Sequence, residues 1–489
     1  MSIGSHPAQP TTVELERTFA GYAKAARPVG LPAFPVLAIH LLVFGSLFSG
    51  LPGPAALGEL RGEGTVIGAV AVILSAVLSG AIVDLRGIRS ALVFLPLAAC
   101  IALSYAFNAE GIANAHFLGR EGGEKFFTSL LVVIFYFSVF FTVSCIARVY
   151  GARAVLLCGS NAALWCGFLM IAEMAIEIVS WFVPPLREIW RVTRGLWVSS
   201  GSSEPRFRLV GFAPEPSLGA ITAMGLIGLL AAEVVLRGGT REWSRARARA
   251  VGFLIFALVA LELVLANART FAIGAFGAVL AALLVSRFAS AIPAALKSAV
   301  IVLATLPVQA GMIWVTLQQE PGARSISNIS RSVGMVTASQ LGAQHPLFGL
   351  GLGQYGFHFR SVVPSWGLAS FEISRYFRED QYHLLAGLPP TFSMFSRVAS
   401  ELGLIGLAAW LFPPLFAIRQ AIIQRPGPLT SVMICALAAQ IWSGLSFDSF
   451  RNVYYWFWLA LLLAWPKQKE GVTRLMSSGF AANGVRGVG

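Results

Sequence analysis

Charge is scarce in this sequence. Asp, Glu, Lys and Arg supply 12% of the 489 residues and hydrophobic residues 56%, which excludes a water-soluble globular protein and leaves a polytopic helical membrane protein. Strand-length apolar alternation is missing, which excludes a membrane barrel. Cysteine is rare. All five (Cys100, Cys145, Cys158, Cys166 and Cys435) fall inside apolar runs, where they read as small packing residues and give neither a disulfide framework nor zinc spacing. The polar start, with Glu14, Glu16, Arg17, Lys24 and Arg27, lacks the pattern of a secretory signal, so the first apolar run is expected to act as an uncleaved insertion signal. The glycine run GLGLGQYG (349–356) follows no strand and lacks dinucleotide-fingerprint spacing.

What is present is apolar length. Runs long enough to cross the hydrocarbon core recur from Leu31 to Trp465. About twelve spans are expected, centred near residues 42, 75, 98, 137, 168, 227, 258, 278, 307, 406, 438 and 459. The fold class is all-α, a polytopic membrane protein. A segment 1–30 precedes spans one to nine (31–317, with a loop at 184–216), a long loop 318–391, spans ten to twelve (392–466) and a tail 467–489. The net charge of +13 invites a nucleic-acid partner, but its distribution argues against one. Cations cluster in alternate short loops, at Arg86/Arg89, Arg148/Arg153, Arg237 to Arg249, Arg287/Lys297 and Arg419/Arg425. By the positive-inside rule those loops and both termini are cytoplasmic. Segments 184–216, 318–391 and 446–452 then emerge on the outer face.

The outer segments carry the chemistry. In RFRLVGFAPEPS, Glu215 fits either a helix cap or a functional carboxylate, and Arg208 has no local explanation. Arg269 in NART opens the eighth span, as a snorkelling cation or a ligand contact. In SISNISRSVGMVTASQLGAQ, Ile326, Ile329, Val333 and Val336 form one stripe with Arg331 nearly opposite. This predicts a helix lying along the outer interface, capped by Ser325 or Ser327 and ended by Gly342. His345-Pro346 and Gly349, Gly351, Gly353 and Gly356 mark a tight turn, structural or beside a ligand. Glu173 and Glu177 share a face of the fifth span and Glu262 lies in the seventh, so each needs a cavity or a cationic partner. The loop aromatics Tyr355, Phe357, Phe359, Trp366, Tyr376, Phe377 and Tyr382 suit sugar stacking or an interface belt.

In order and spacing, RLVGFAPEPS, NART, the Arg331 helix leading into HPLFGLGLGQYG, and SRVASELGLIGL resemble the bacterial O-antigen ligase and O-antigen polymerase superfamily. The resemblance covers roughly residues 205 to 420. It implies a GT-C-like helical fold and a glycosyltransferase of the inner (plasma) membrane that needs neither metal nor cofactor. Its substrate would be oligosaccharide linked to undecaprenyl diphosphate, with a flippase and a chain-length regulator as partners and no nucleic acid. Arg208, Arg269 and Arg331 would hold the diphosphate and Tyr355 the glycan, because a guanidinium fork grips phosphate oxygens and stays charged. The base is open among Glu215, His345, His383 and Glu401. Ligases of the superfamily carry histidine-asparagine about nine residues before the glutamate aligned with Glu401. This chain has Phe392 and Ser393 there, which favours a polysaccharide polymerase over a ligase. A transporter of sugars or lipid-linked glycans is the reading from another class, kept alive by Glu173, Glu177 and Glu262.

Overall fold

The computed structural model describes residues 32–51, 60, 63–83, 90–117, 119–198, 209–238, 243–286, 289–318, 326–378, 387–424 and 427–465, with backbone alone at 315–317 and 326–328. About 80% of it is helical. The helices are α1 (Ala33–Gly45), α2 (Thr65–Leu78), α3 (Leu95–Asn114), α4 (Gly122–Tyr150), α5 (Ala152–Phe182), α6 (Pro184–Arg194), α7 (Pro216–Arg237), α8 (Arg245–Ala260), α9 (Arg269–Val285), α10 (Ala294–Leu303), α11 (Thr305–Gln318) and α12 (Ile326–Gln344). The short α13 (Tyr355–His358) and α14 (Phe371–Ser374) lead to α15 (Met394–Gln424), α16 (Pro428–Ser443) and α17 (Val453–Ala464). Strands β1 (His116–Phe117) and β2 (Arg120–Glu121) form an antiparallel hairpin before α4.

Among the described residues, seven helical stretches, from Leu92–Asn114 to Met394–Gln424, are long and apolar enough to cross a membrane; α1, α2, α9, α16 and α17 are shorter apolar helices. Every expected span centre falls within one of these helices. Proline stands in the first turn of α3, α6, α7 and α16, where its missing N–H leaves no bond unmade. Asn452 caps α17 by accepting from the Tyr455 amide at 3.2 Å. Helix α17 is buried along nearly its whole length, with Trp456 and Trp458 fully enclosed. Its neighbours come close because they are small where it is large. A Cβ at Gly225 of α7 would lie 2.2 Å from the Tyr454 ring, so glycine there admits backbone-to-ring contact.

At one end of the bundle, connections far apart in sequence are tied to one another. Arg451 bonds Glu63 at 2.9 Å, Gly50 bridges Val198, the Leu209 amide reaches the Leu265 carbonyl at 3.3 Å, and Gln354 Nε2 donates to the Gly122 carbonyl at 2.8 Å. At the opposite end lie basic connections. Arg247 pairs with Glu233 and Asn161, Arg237 stands 3.7 Å from Glu233, and Arg148 reaches Ser90 and the Leu463 carbonyl.

Helix α12 departs from the interfacial helix expected for it. From Ile329 to Ala338 it is buried except at half-buried Arg331, and it belongs to a second hydrophobic core built from Ile329, Val333, Leu341, Leu350, Tyr355, Phe359 and Tyr376. The reason is hydroxyl pairing. Ser330 bonds Ser370 at 2.7 Å and Thr337 bonds Tyr355 at 2.6 Å, so the polar side of the stripe is satisfied inside protein. Gly342 does not end the helix, which continues to Gln344. Instead it makes room for α15, since a Cβ there would lie 3.1 Å from the Ala399 carbonyl oxygen. The expected cap Ser325 lies outside the described residues, as does the side chain of Ser327. The helix with two distinct faces is α6: it buries Trp190 and Arg194 and exposes Ile189 and Val192.

The glycine turn is a joint. Gly349, Gly351 and Gly353 have φ of 64°, 105° and 79°, and the Leu350 and Gly351 amides donate to the Ser400 and Glu401 carbonyls at 3.0 and 2.9 Å. Helix α15 is interrupted opposite them. Gly403 sits at φ 69°, ψ −171°, and the Leu404 amide bonds the Pro346 carbonyl at 2.7 Å.

Candidate functional site

Two cavities open at the end of the bundle where the long connections meet. The first, about 410 Å³, is lined by α6, the 210–217 segment, α12 and the 372–376 turn. The second, about 570 Å³, is lined by the β1–β2 hairpin, the start of α4, the glycine turn and the start of α15. Between them runs the strap 389–392: Pro389 and Thr391 face the second cavity, Phe392 the first, and Pro390 both.

The first cavity gathers Arg194, Arg331 and Arg375 with Glu177, Glu215 and Glu372. The Arg331 guanidinium lies 5.9 Å from the centre of the Phe392 ring. Phe392 therefore contributes a flat apolar wall beside the cation. The neighbouring Ser393 points elsewhere, donating to Gln309 at 2.9 Å. Glu215 holds the N-cap position of α7, yet its side chain makes no capping bond; its carboxylate accepts from Ser217 at 3.3 Å and stays exposed.

The segment that presents Glu215 is clamped from below. Arg194, 4% exposed, donates to the Gly211 and Ala213 carbonyls, each at 2.9 Å. Glu177 accepts from the Val210 and Gly211 amides at 3.2 and 3.1 Å, and Glu173 from the Trp190 indole at 3.3 Å. Burial lowers Arg194 from its usual value, opposed by Glu177 and Glu173. The cationic partner expected for the glutamate pair is thus Arg194. Sequence reading missed this arginine, although its spacing of four from Trp190 on an amphipathic helix marks the buried face. Glu262, also buried, lines neither cavity.

The second cavity contains Glu401 and Tyr355. Glu401 is buried and paired with Arg397 at 3.3 Å, while Arg397 also donates to the Asp448 carbonyl at 2.9 Å. Tyr355 is wedged under the cavity floor, bonded to Thr337 and to the Gly334 carbonyl at 3.2 Å, and burial pushes its phenol far above the usual range. Tyr355, Phe359 and Tyr376 form the core of the cap with Trp366 packed against it; of these, Tyr355 borders the second cavity and Tyr376 the first, while Phe359 and Trp366 line neither. Arg397, Asp448 and Arg451 were not singled out in the sequence. Their signal is that charged residues border spans ten and twelve on the same side as Arg331.

Arg451 illustrates the electrostatics of this end. Burial pushes the Glu63 carboxyl up to about 7, against the pull of Arg451. A carboxyl raised on folding favours the fold while protonated, so its contribution is whole below the usual 4.5 and is lost as pH rises through 7. The melting temperature of the wild type is therefore expected to fall relative to Glu63→Gln between about pH 5 and pH 8. A gap that stays constant across that range would count against the assignment.

Of the other sequence candidates, Arg269 is exposed at the first turn of α9 and lines neither cavity. His345 is exposed beyond the end of α12, its amide bonded to the Leu341 carbonyl at 3.0 Å, and lines neither. Arg208, His383 and Tyr382 lie outside the described residues. The structure therefore brings Glu215 and Arg331 to one cavity and Glu401 and Tyr355 to the other. No family model matches this chain, and neither does any curated protein or solved structure with which it was compared.

Proposed function

We propose that this chain is a membrane glycosyltransferase that polymerises oligosaccharide repeat units carried on undecaprenyl diphosphate at the outer face of a bacterial inner membrane. The observation that carries the reading is the first cavity, where Arg331 and Arg375 meet Glu215 at the end of an apolar helical bundle, above the segment that Arg194 clamps. Diphosphate is the ligand that guanidinium forks hold best, through bidentate, permanently charged donors. In this reading the seven long and five shorter apolar helices are twelve crossings. The basic connections around Arg148, Arg237 and Arg247 are cytoplasmic, as are both termini, and the two cavities face outward.

The reaction is a displacement at the anomeric carbon of the donor sugar. An acceptor hydroxyl oxygen forms the new C–O bond as the bond to the diphosphate oxygen breaks, and the electron pair leaves on the diphosphate. Arg331 and Arg375 stabilise the charge that develops there. The hydroxyl proton goes to Glu215, the exposed carboxylate in the same cavity. Glu401 is less suited to that role because Arg397 already occupies it. Phe392 in place of the ligase histidine supports the polymerase over the ligase.

Purified full-length protein in lipid nanodiscs, given undecaprenyl-diphosphate-linked repeat unit from its own host, is expected to lengthen the glycan by whole repeat units. Movement of the lipid-linked unit across a vesicle membrane without any change in its length would instead establish the transporter.

A further inference from the structure

We infer that the second cavity is a separate binding site for a neutral, hydroxyl-rich saccharide, the acceptor glycan, with the strap 389–392 as the divider at which acceptor and donor meet. The inference rests on the reaction proposed above and adds to it a second ligand site. Three observations carry it.

The first is separation. The strap is fixed on both sides: Asp448 Oδ2 accepts from the Thr391 amide at 2.7 Å, the Thr391 hydroxyl at 3.1 Å and the Phe392 amide at 3.1 Å. Opposite, the strap lies against α12, where a Cβ at Gly334 would come 2.7 Å from the Pro390 carbonyl oxygen. Phe392 has φ of 57°, a left-handed conformation rare outside glycine and kept only where its surroundings determine it. The divider is built, and among the described residues Pro390 alone lines both cavities.

The second is the chemistry of the wall. The second cavity carries four cationic and four carboxylate side chains, and the deep ones are matched. Arg397 pairs with Glu401, Arg451 with Glu63, and Asp448 with the strap. The first cavity is balanced as well, three arginines with three glutamates, so what sets the second apart is the direct ion pairing of its deep arginines. A sugar hydroxyl, which donates and accepts at once, suits fixed donors and acceptors in equal number. Of the eight, Arg120 and Glu121 of the hairpin and Glu124 of α4 form the rim and are exposed. The third is size: about 570 Å³ lies within the roughly 300–1,000 Å³ of small-molecule sites and exceeds the arginine cavity.

The test fills one cavity and reads both. Thr128 lines the second cavity and is half-buried on α4, so Thr128→Trp places an indole inside it. Two measurements follow: inorganic pyrophosphate binding to the full-length protein in nanodiscs, and the length of surface glycan in a strain carrying only the variant. Pyrophosphate affinity within about twofold of wild type, with polymer reduced about tenfold or more and single lipid-linked units accumulating, supports two sites. Polymer of normal length overturns the inference, and so does joint loss of polymer and pyrophosphate binding. If Thr128→Trp does not accumulate in the membrane, the exposed pair Arg120→Ala/Glu121→Ala decides by the same readouts. Unchanged glycan in a strain lacking the protein altogether, or no pyrophosphate binding by wild type, overturns the reaction itself and not merely its second site.

Discussion

Replacing Arg331 by alanine is expected to lower polymer formation by about 10²–10³-fold, the usual loss when one preorganised donor to a developing negative charge is removed. Abundance in the membrane should be unchanged. Helix α12 is held by Ile329, Val333 and Leu341 in the core of the cap, and Arg331 stands on the cavity side, above Phe392. Deleting its guanidinium therefore leaves the packing of the helix in place. Arg331→Lys should fall between the two, since an ammonium keeps the charge but loses the planar fork. Arg269→Ala is the contrast. It removes an exposed arginine that lines neither cavity, and glycan length should stay within about twofold of wild type. Gel profiles of surface glycan from strains carrying each single variant would decide. Full-length polymer from Arg331→Ala, or equal losses at both positions, would remove the cavity from the reaction.

Gly349→Ala should be among the most destabilising single-methyl additions in the chain. At φ 64° an alanine carries the left-handed penalty of roughly 1–2 kcal/mol. Its methyl would also lie 2.3 Å from the Glu401 carbonyl carbon and 2.5 Å from the Leu402 nitrogen. Those are backbone atoms that cannot rotate away, so overpacking of about 1–3 kcal/mol is added. Gly80 isolates the first cost, because it has φ of 67° and an added methyl there would meet nothing within 4 Å. Melting in detergent should therefore show Gly349→Ala unfolding well below Gly80→Ala. Equal melting temperatures would mean that the turn is not seated on α15.

Much of this architecture is legible in the sequence. Apolar length alone locates the helices, because a bilayer leaves few other uses for such runs. Placing Arg331 and Glu215 on the same side follows from alternating the loops, and they line one cavity. The burial of α12 is not legible. Ser330 and Thr337 flank the apolar stripe without revealing their partners, since Ser370 and Tyr355 stand 40 and 18 residues away. Only the folded cap brings those hydroxyls together. Arg194 is hidden for a related reason: the carbonyls it grips, Gly211 and Ala213, lie 17 and 19 residues downstream, and backbone acceptors leave no trace in side-chain identity. Arg269 is legible in position but not in surroundings. Its expected position at a helix start is right, but that end of α9 does not reach the arginine cavity.

The interruption of α15 at Gly403 has a consequence for inheritance. The Pro346 carbonyl supplies the bond that the broken helix leaves unmade at Leu404, and a Cβ at Gly403 would sit 2.3 Å from the Leu347 carbonyl oxygen. Neither half of this joint has a use without the other. A lineage that healed the helix by replacing Gly403 would need a compensating change in the His345–Gly349 turn, so the two stretches should drift as a pair.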